Sequence, residues 1–224
     1  MYEMRFMQTF SRMPVFTVSD ANQIINNRQY AKKFLKKQIE NGTIFRVRKN
    51  TYTVHKDPFL ISTFLAKPSY ISSVSALSYR KQITQIPNEV FCATGKKGWK
   101  IRLFGEVNFF HTNWFFGFVP ENYEGFRIMV AETEKAIIDS FSLVPVSVFE
   151  EAFEFVDERK MVQCLRKIKK SSIVKRVGYL MEENGFNVYE QLKDLINYKY
   201  IGLDPIIKPK GKKDRKWGII INTV

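Results

Sequence analysis

The sequence predicts an α+β protein, with an N-terminal winged helix-turn-helix followed by a mixed α/β domain whose second half is helical. Three observations carry this. The first 56 residues hold three short amphipathic stretches and then a basic hairpin pattern. From EVFCATG to FRIMV, strand-like runs alternate with turn signals. After Pro145 the apolar spacing turns helical through VFEEAFEFV, MVQCLRKI, IVKRVGYLMEENG and VYEQLKDLI. The expected division is a DNA-binding domain over 1–56 and an α+β domain over 57–224.

Tyr2 to Arg12 is expected to be helical, with Met4, Met7 and Phe10 on one side and Pro14 ending it. Val18 closes a short extended piece. Ser19 is the expected N-cap of a second helix, buried through Ala21, Ile24 and Ile25. Asn26 to Arg28 can turn. A third helix runs from about Gln29 to Asn41 and stops at Gly42. At about 100° per residue, Gln29, Lys32, Lys33, Lys36, Lys37 and Glu40 fall within an arc of roughly 140°. Ala31, Phe34, Leu35, Gln38 and Ile39 fall opposite and are expected to pack. Ile44, Phe45, Val47, Tyr52 and Val54 supply strand propensity around a turn at Arg48-Lys49-Asn50-Thr51.

In the second domain, Asp57 is the expected N-cap and Pro58 the first-turn residue of a helix. Phe59, Leu60, Phe64 and Leu65 form its apolar side, and Lys67-Pro68 ends it. Trp99, Ile101 and Leu103 alternate with Lys100 and Arg102, and Gly105-Glu106 reads as a two-residue hairpin turn. FRIMVAETEKAIIDSFSL reads as a strand running into a helix. The aromatic run NWFFGF (113–118), beside Phe109 and Phe110, reads as core. The chain closes on the basic loop KPKGKKDRK (208–216) and the β-rich WGIIINTV.

Charge points to the partner. Thirty-six Lys/Arg against 22 Asp/Glu give +14, a balance that suits a polyanion. The excess is localised: residues 1–56 hold eleven Lys/Arg and three Asp/Glu, and the 208–216 loop holds six cations and one carboxylate. A helix-turn-helix places its second helix in the major groove, and a wing reaches adjacent phosphates. The candidate DNA-binding residues are therefore Arg28, Gln29, Lys32, Lys33, Lys36, Lys37, Arg46, Arg48, Lys49 and Asn50. Lys208, Lys210, Lys212, Lys213, Arg215 and Lys216 are candidates for secondary phosphate contacts. A membrane partner is disfavoured, because no apolar run approaches the roughly 18 residues of a spanning helix. MYEMRFMQTFSRMP lacks a signal-peptide pattern, and Cys92 and Cys164 lie far apart. The expected setting is a reducing cytoplasm with free thiols.

Four ordered motifs resemble the antitoxins of AbiE abortive-infection, or type IV, toxin–antitoxin systems, regulators of viral defence. A G-x-I-x-R-V-x-x-x-x-Y hairpin runs through Gly42, Ile44, Arg46, Val47 and Tyr52. A P-x-Y-I-S-x-x-S-A-L helix start covers Pro68, Tyr70, Ile71, Ser72, Ser75, Ala76 and Leu77. An E-K-A-x-x-D helix holds Glu134, Lys135, Ala136 and Asp139, and R-x-G-Y-L-x-E-x-x-G spans Arg176 to Gly185. The sequence departs from that family at the wing turn, where Lys49-Asn50 replaces glycine, and at Tyr79-Arg80-Lys81, where histidine-glycine is common. The resemblance implies promoter binding with autoregulation by the N-terminal domain. It also implies neutralisation of a nucleotidyltransferase-like toxin by the second domain. Self-association on DNA is a separate expectation.

Catalytic patterns are sparse. His55 and His111 have no ligand-spaced partners, so no metal is expected, and no cofactor motif is present. Glu132, Glu134 and Asp139 are the one acidic group worth testing as a nuclease site, and a structural role is expected for them. The chain is expected not to be an enzyme. The alternative is a basic RNA- or DNA-processing factor with an unrecognised catalytic site in its second domain.

Overall fold

The structure is a computed structural model and describes residues 2–223. Three helices open it: α1 (Tyr2–Phe10), α2 (Val18–Ile25) and α3 (Arg28–Glu40). They close around an aromatic cluster in which Phe6 meets Phe10, Phe16 and Phe34 at centroid distances of 4.3, 5.8 and 4.8 Å. The N-cap of α2 is Thr17, not Ser19. The Thr17 hydroxyl accepts from the Asp20 backbone N–H at 3.3 Å, while the Asp20 carboxylate accepts from the Thr17 N–H at 2.7 Å. This reciprocal pair satisfies two orphan donors, which Ser19, already inside the first turn, could not do. Val18 is accordingly helical, and the extended piece is Phe16, bridged to Tyr52.

The turn into α3 is short. Asn26 takes a left-handed φ of 55°, and Asn27 Oδ1 accepts from the Tyr30 N–H at 2.9 Å. Ala31, Phe34, Leu35 and Gln38 of α3 are buried. Ile39, expected among them, is 36% exposed, because it lies at the margin of the apolar arc beside the helix end. Gly42 (φ 70°) stops the helix, its N–H donating to Ile39 O. A two-stranded antiparallel hairpin follows, β1 (Phe45–Arg48) and β2 (Thr51–Thr53), with Asn50 at φ 61° in the turn.

The remaining elements are α4 (Pro58–Leu65), β3 (Ser69–Ile71), α5 (Ser73–Tyr79), β4 (Glu89–Thr94), β5 (Trp99–Arg102), β6 (Glu106–His111), β7 (Phe118–Tyr123), β8 (Phe126–Ala131) and α6 (Thr133–Ser140). Then come α7 (Glu158–Ile168), α8 (Ser171–Glu183), α9 (Tyr189–Leu192), β9 (Ile201–Gly202), β10 (Lys212–Asp214) and β11 (Ile219–Ile221). Six strands form the central sheet in the order β5-β6-β4-β3-β8-β7, with β4 parallel to β6 and β3 parallel to β8. The last three strands form a small sheet, β10-β11-β9. Beside it, Trp217 is buried against Gly178 of α8, where the ring fills the space a Cβ would need. No described helix is long and apolar enough to cross a membrane.

Asp57 and Pro58 start α4 as expected, Asp57 Oδ1 accepting from the Phe59 N–H at 2.8 Å. Three other expectations are corrected and one holds in part. The β5–β6 turn is Leu103 to Gly105, closed by the Leu103 N–H donating to Gly105 O, with Phe104 at φ 56°. Glu106 already belongs to β6, held by Lys100 and Arg102 across the ladder at 2.7 and 3.1 Å. VFEEAFEFV lies in two 3-10 turns over 146–148 and 150–155, because Val146, Phe149 and Ala152 are buried at a three-residue repeat. The aromatic run holds as core in part: Trp114, Phe115, Phe116 and Phe118 pack against the larger core but stay half-buried, since the run leads into β7, an edge strand. The basic 208–216 segment is partly strand, with Lys212–Asp214 paired to β11.

Candidate nucleic-acid interface

The periodicity of α3 leaves Gln29, Lys32, Lys33, Lys36 and Lys37 exposed on the side opposite its buried stripe, and Arg28 is exposed at its first turn. One carboxylate meets them: Glu40 approaches Lys36 at 3.9 Å, with side chains 63% and 80% exposed. Such a pair contributes little in water. Among the described residues, the other cations of α3 have no ion pair. In β1 the pleat sends Val47 into the core while Arg46 and Arg48 stay exposed, and Lys49 and Asn50 are exposed at the turn.

The hairpin is not free of the second domain. Val47 joins the larger core, Phe45 meets Phe104 edge-on at 4.6 Å, and the Arg48 guanidinium lies 6.0 Å from the Trp99 ring centre. Arg48 Nε also donates to Thr51 Oγ1 at 3.4 Å. Trp99 in turn stacks on Phe109 at 4.1 Å. Arg48 is thus partly committed within the fold, unlike Arg46 and Lys49. The sequence suggests no such contact for Trp99 or Phe104, since each lies about 50 or more residues from its partner in the chain.

The candidate secondary contacts divide. Lys208, Lys210, Lys212, Lys213 and Arg215 are exposed. Lys216 is held by Glu182 at 2.7 Å and stands 4.9 Å over the Tyr189 ring, so part of its charge is compensated inside the protein. Lys213 lies 5.2 Å over Tyr200.

The three acidic residues do not converge. Glu132 accepts from Lys160 at 2.8 Å, and Glu134 accepts from the Asp157 N–H at 2.9 Å. Asp139 is buried and accepts from Lys135, from Ser72 Oγ at 2.7 Å and from Tyr70 OH at 3.1 Å. Burial first, and then Asp139, drives the Tyr70 hydroxyl far up from its ordinary range. Both thiols are free: burial pushes Cys92 up to about 12 and half-buried Cys164 up to about 11. Neither is a ready nucleophile at neutral pH. Among the described residues, no group of three or more His, Cys, Asp and Glu is placed to hold a metal ion.

No family model and no curated protein matches the sequence. Among solved structures, the fold is similar to the crystal structure of RV2827C protein from Mycobacterium tuberculosis, with a TM-score of 0.71 over 97% of this chain and 90% of that one, at 12% identity. At that identity the likeness establishes a shared α+β fold.

Proposed function

We propose that the chain is a sequence-specific, double-stranded-DNA-binding transcriptional regulator of the AbiE antitoxin type, repressing its own promoter and without enzymatic activity. The observation that supports this is that α3 and the hairpin expose Arg28, Lys32, Lys33, Lys37, Arg46 and Lys49, none of them in an ion pair among the described residues. Exposed, unpaired cations gathered in one short segment suit a polyanion, whereas a merely solvated surface mixes signs. On this reading residues 1–56 act as a winged helix-turn-helix. The N-terminal end of α3 enters the major groove, and β1–β2 is the wing on the flanking phosphates. Neutralisation of a nucleotidyltransferase-like toxin by residues 57–224 extends the same reading.

The test is binding to the DNA upstream of the chain's own gene and to a scrambled duplex at several salt concentrations. Tighter binding to the upstream DNA and a steep salt dependence are expected. Equal, salt-insensitive binding to both duplexes would sink the reading, and so would metal-dependent cleavage of either one.

A further inference from the structure

The segment from Phe110 to Trp114, the end of α6 and the start of α8 enclose a cavity of about 410 Å³. That lies within the range of about 300–1,000 Å³ usual for small-ligand sites. Its walls combine a half-buried indole, Trp114, with two cations, Lys170 and Arg176, and two hydroxyls, Ser142 and Ser172. Neither cation has an ion pair among the described residues. Arg176 is half-buried and fixed by its Nε, which donates to Gly202 O at 2.9 Å. Its terminal nitrogens remain as donors in a fork suited to an oxyanion.

The local carboxylates do not cancel this charge. Asp139 is the acidic residue of the wall, and Lys135, Tyr70 and Ser72 already take its oxygens. Asp204 lies near Arg176 but accepts the backbone N–H groups of Val146 and Ile206, each at 2.8 Å. Burial lowers the pKa of Arg176 despite Asp204, as expected of a guanidinium short of anionic partners. Lys170 Nζ stands 5.5 Å over the Trp114 ring. Turning this exposed lysine toward an anion would free the ring face for a planar group.

We propose that this cavity binds a nucleoside monophosphate group, with the phosphate between Arg176, Lys170 and the two hydroxyls and the base against Trp114. The site shares no residue with the face of α3 and the hairpin, so it stands or falls independently of promoter binding. Isothermal titration of the full chain near physiological salt with AMP, adenosine and inorganic phosphate tests it. AMP is expected to bind at least about tenfold more tightly than either fragment, since each fragment loses one half of the contacts. Lys170→Gln and Arg176→Gln should each weaken AMP by about tenfold or more. Trp114→Leu should remove the preference for AMP over phosphate, and a Lys36→Gln/Lys37→Gln variant should bind AMP like the wild type. Because Arg176 also holds Gly202 O, Lys170→Gln and Trp114→Leu decide the outcome if Arg176→Gln fails to fold. A 5′-phosphorylated dinucleotide then names the source: binding as tight as AMP points to a strand end, and exclusion points to a free nucleotide. Phosphate binding as tightly as AMP, AMP affinity unchanged in both Lys170→Gln and Trp114→Leu, or no binding of AMP at millimolar concentration overturns the proposal.

Discussion

Arg48 rests its guanidinium 6.0 Å from the centre of the Trp99 ring, which joins the basic hairpin to the edge strand of the central sheet. With Phe45 against Phe104 at 4.6 Å, this fixes where the hairpin tip points. A cation over an indole is worth about 0.5–1 kcal/mol at an exposed site. A double-mutant cycle with Arg48→Ala and Trp99→Ala should therefore return a coupling of that size in urea unfolding. Trp99→Ala alone should cost more, since it also removes the stack on Phe109. A coupling of zero would mean the contact does not hold the hairpin.

The buried Lys135–Asp139 pair makes a stronger demand. Both side chains are buried, and Asp139 receives three donors. Asp139→Ala leaves Lys135 charged without its partner and should destabilise by about 3–5 kcal/mol. The roughly 1 kcal/mol expected of an ordinary lost hydrogen bond is too small here. Replacing both residues, Lys135→Met with Asp139→Leu, should recover much of the loss. A single variant as stable as the wild type in urea would contradict the burial of the pair.

Cys92 supplies a pH dependence. Its thiol is pushed up to about 12 by burial, while an unfolded cysteine titrates near about 8.5. Above that value the unfolded chain releases the proton and the folded chain keeps it. Stability from this group is therefore complete below about pH 8.5 and is lost as pH rises toward 12. In urea unfolding followed from about pH 7 to 11, Cys92→Ala should start lower and decline less steeply than the wild type. Parallel declines would mean the thiol does not contribute.

What is legible in the sequence is what is local. The α3 stripe obeys a 3.6-residue period, and Asp57-Pro58 states its own cap, so both can be read directly. The α2 cap is harder to place because its box uses Asp20 where Glu or Gln is usual, leaving Ser19 the more conspicuous residue. Strand β7 escapes a sequence reading because FVPENY carries Pro120 and polar residues that resemble a loop. An edge strand tolerates these, since it pairs on one side only. Contacts between distant residues leave no local pattern at all. Tyr70 and Asp139 are 69 positions apart, and Trp114, Lys170 and Arg176 meet only once β6, α6 and α8 are in place.

The salt dependence of DNA binding follows from counting free cations. If about six meet phosphates, log affinity should fall with log salt at a slope of about −5, from roughly 0.9 per contact. A slope near zero on any duplex would assign the basic face another purpose.

The final prediction divides labour along the interface. Residues near the N-terminal end of a groove-bound helix approach base edges, whereas later ones and the wing approach the backbone. Gln29 can match adenine in bidentate fashion, and Lys32 and Lys33 can donate to guanine. Replacing Gln29 or Lys33 by alanine should cost roughly 1–3 kcal/mol on the upstream site and little on scrambled DNA. Lys36, Lys37, Arg46 and Lys49 should instead supply affinity on both duplexes, each alanine making the salt slope shallower by about one unit. Arg48 should change the slope by less than Lys49, because Trp99 and Thr51 already hold its guanidinium. The measurement is the affinity of each variant for both duplexes across a salt series. If Gln29 and Lys33 variants lose affinity in equal proportion on the two DNAs, α3 does not read sequence, and the regulator reading fails with it.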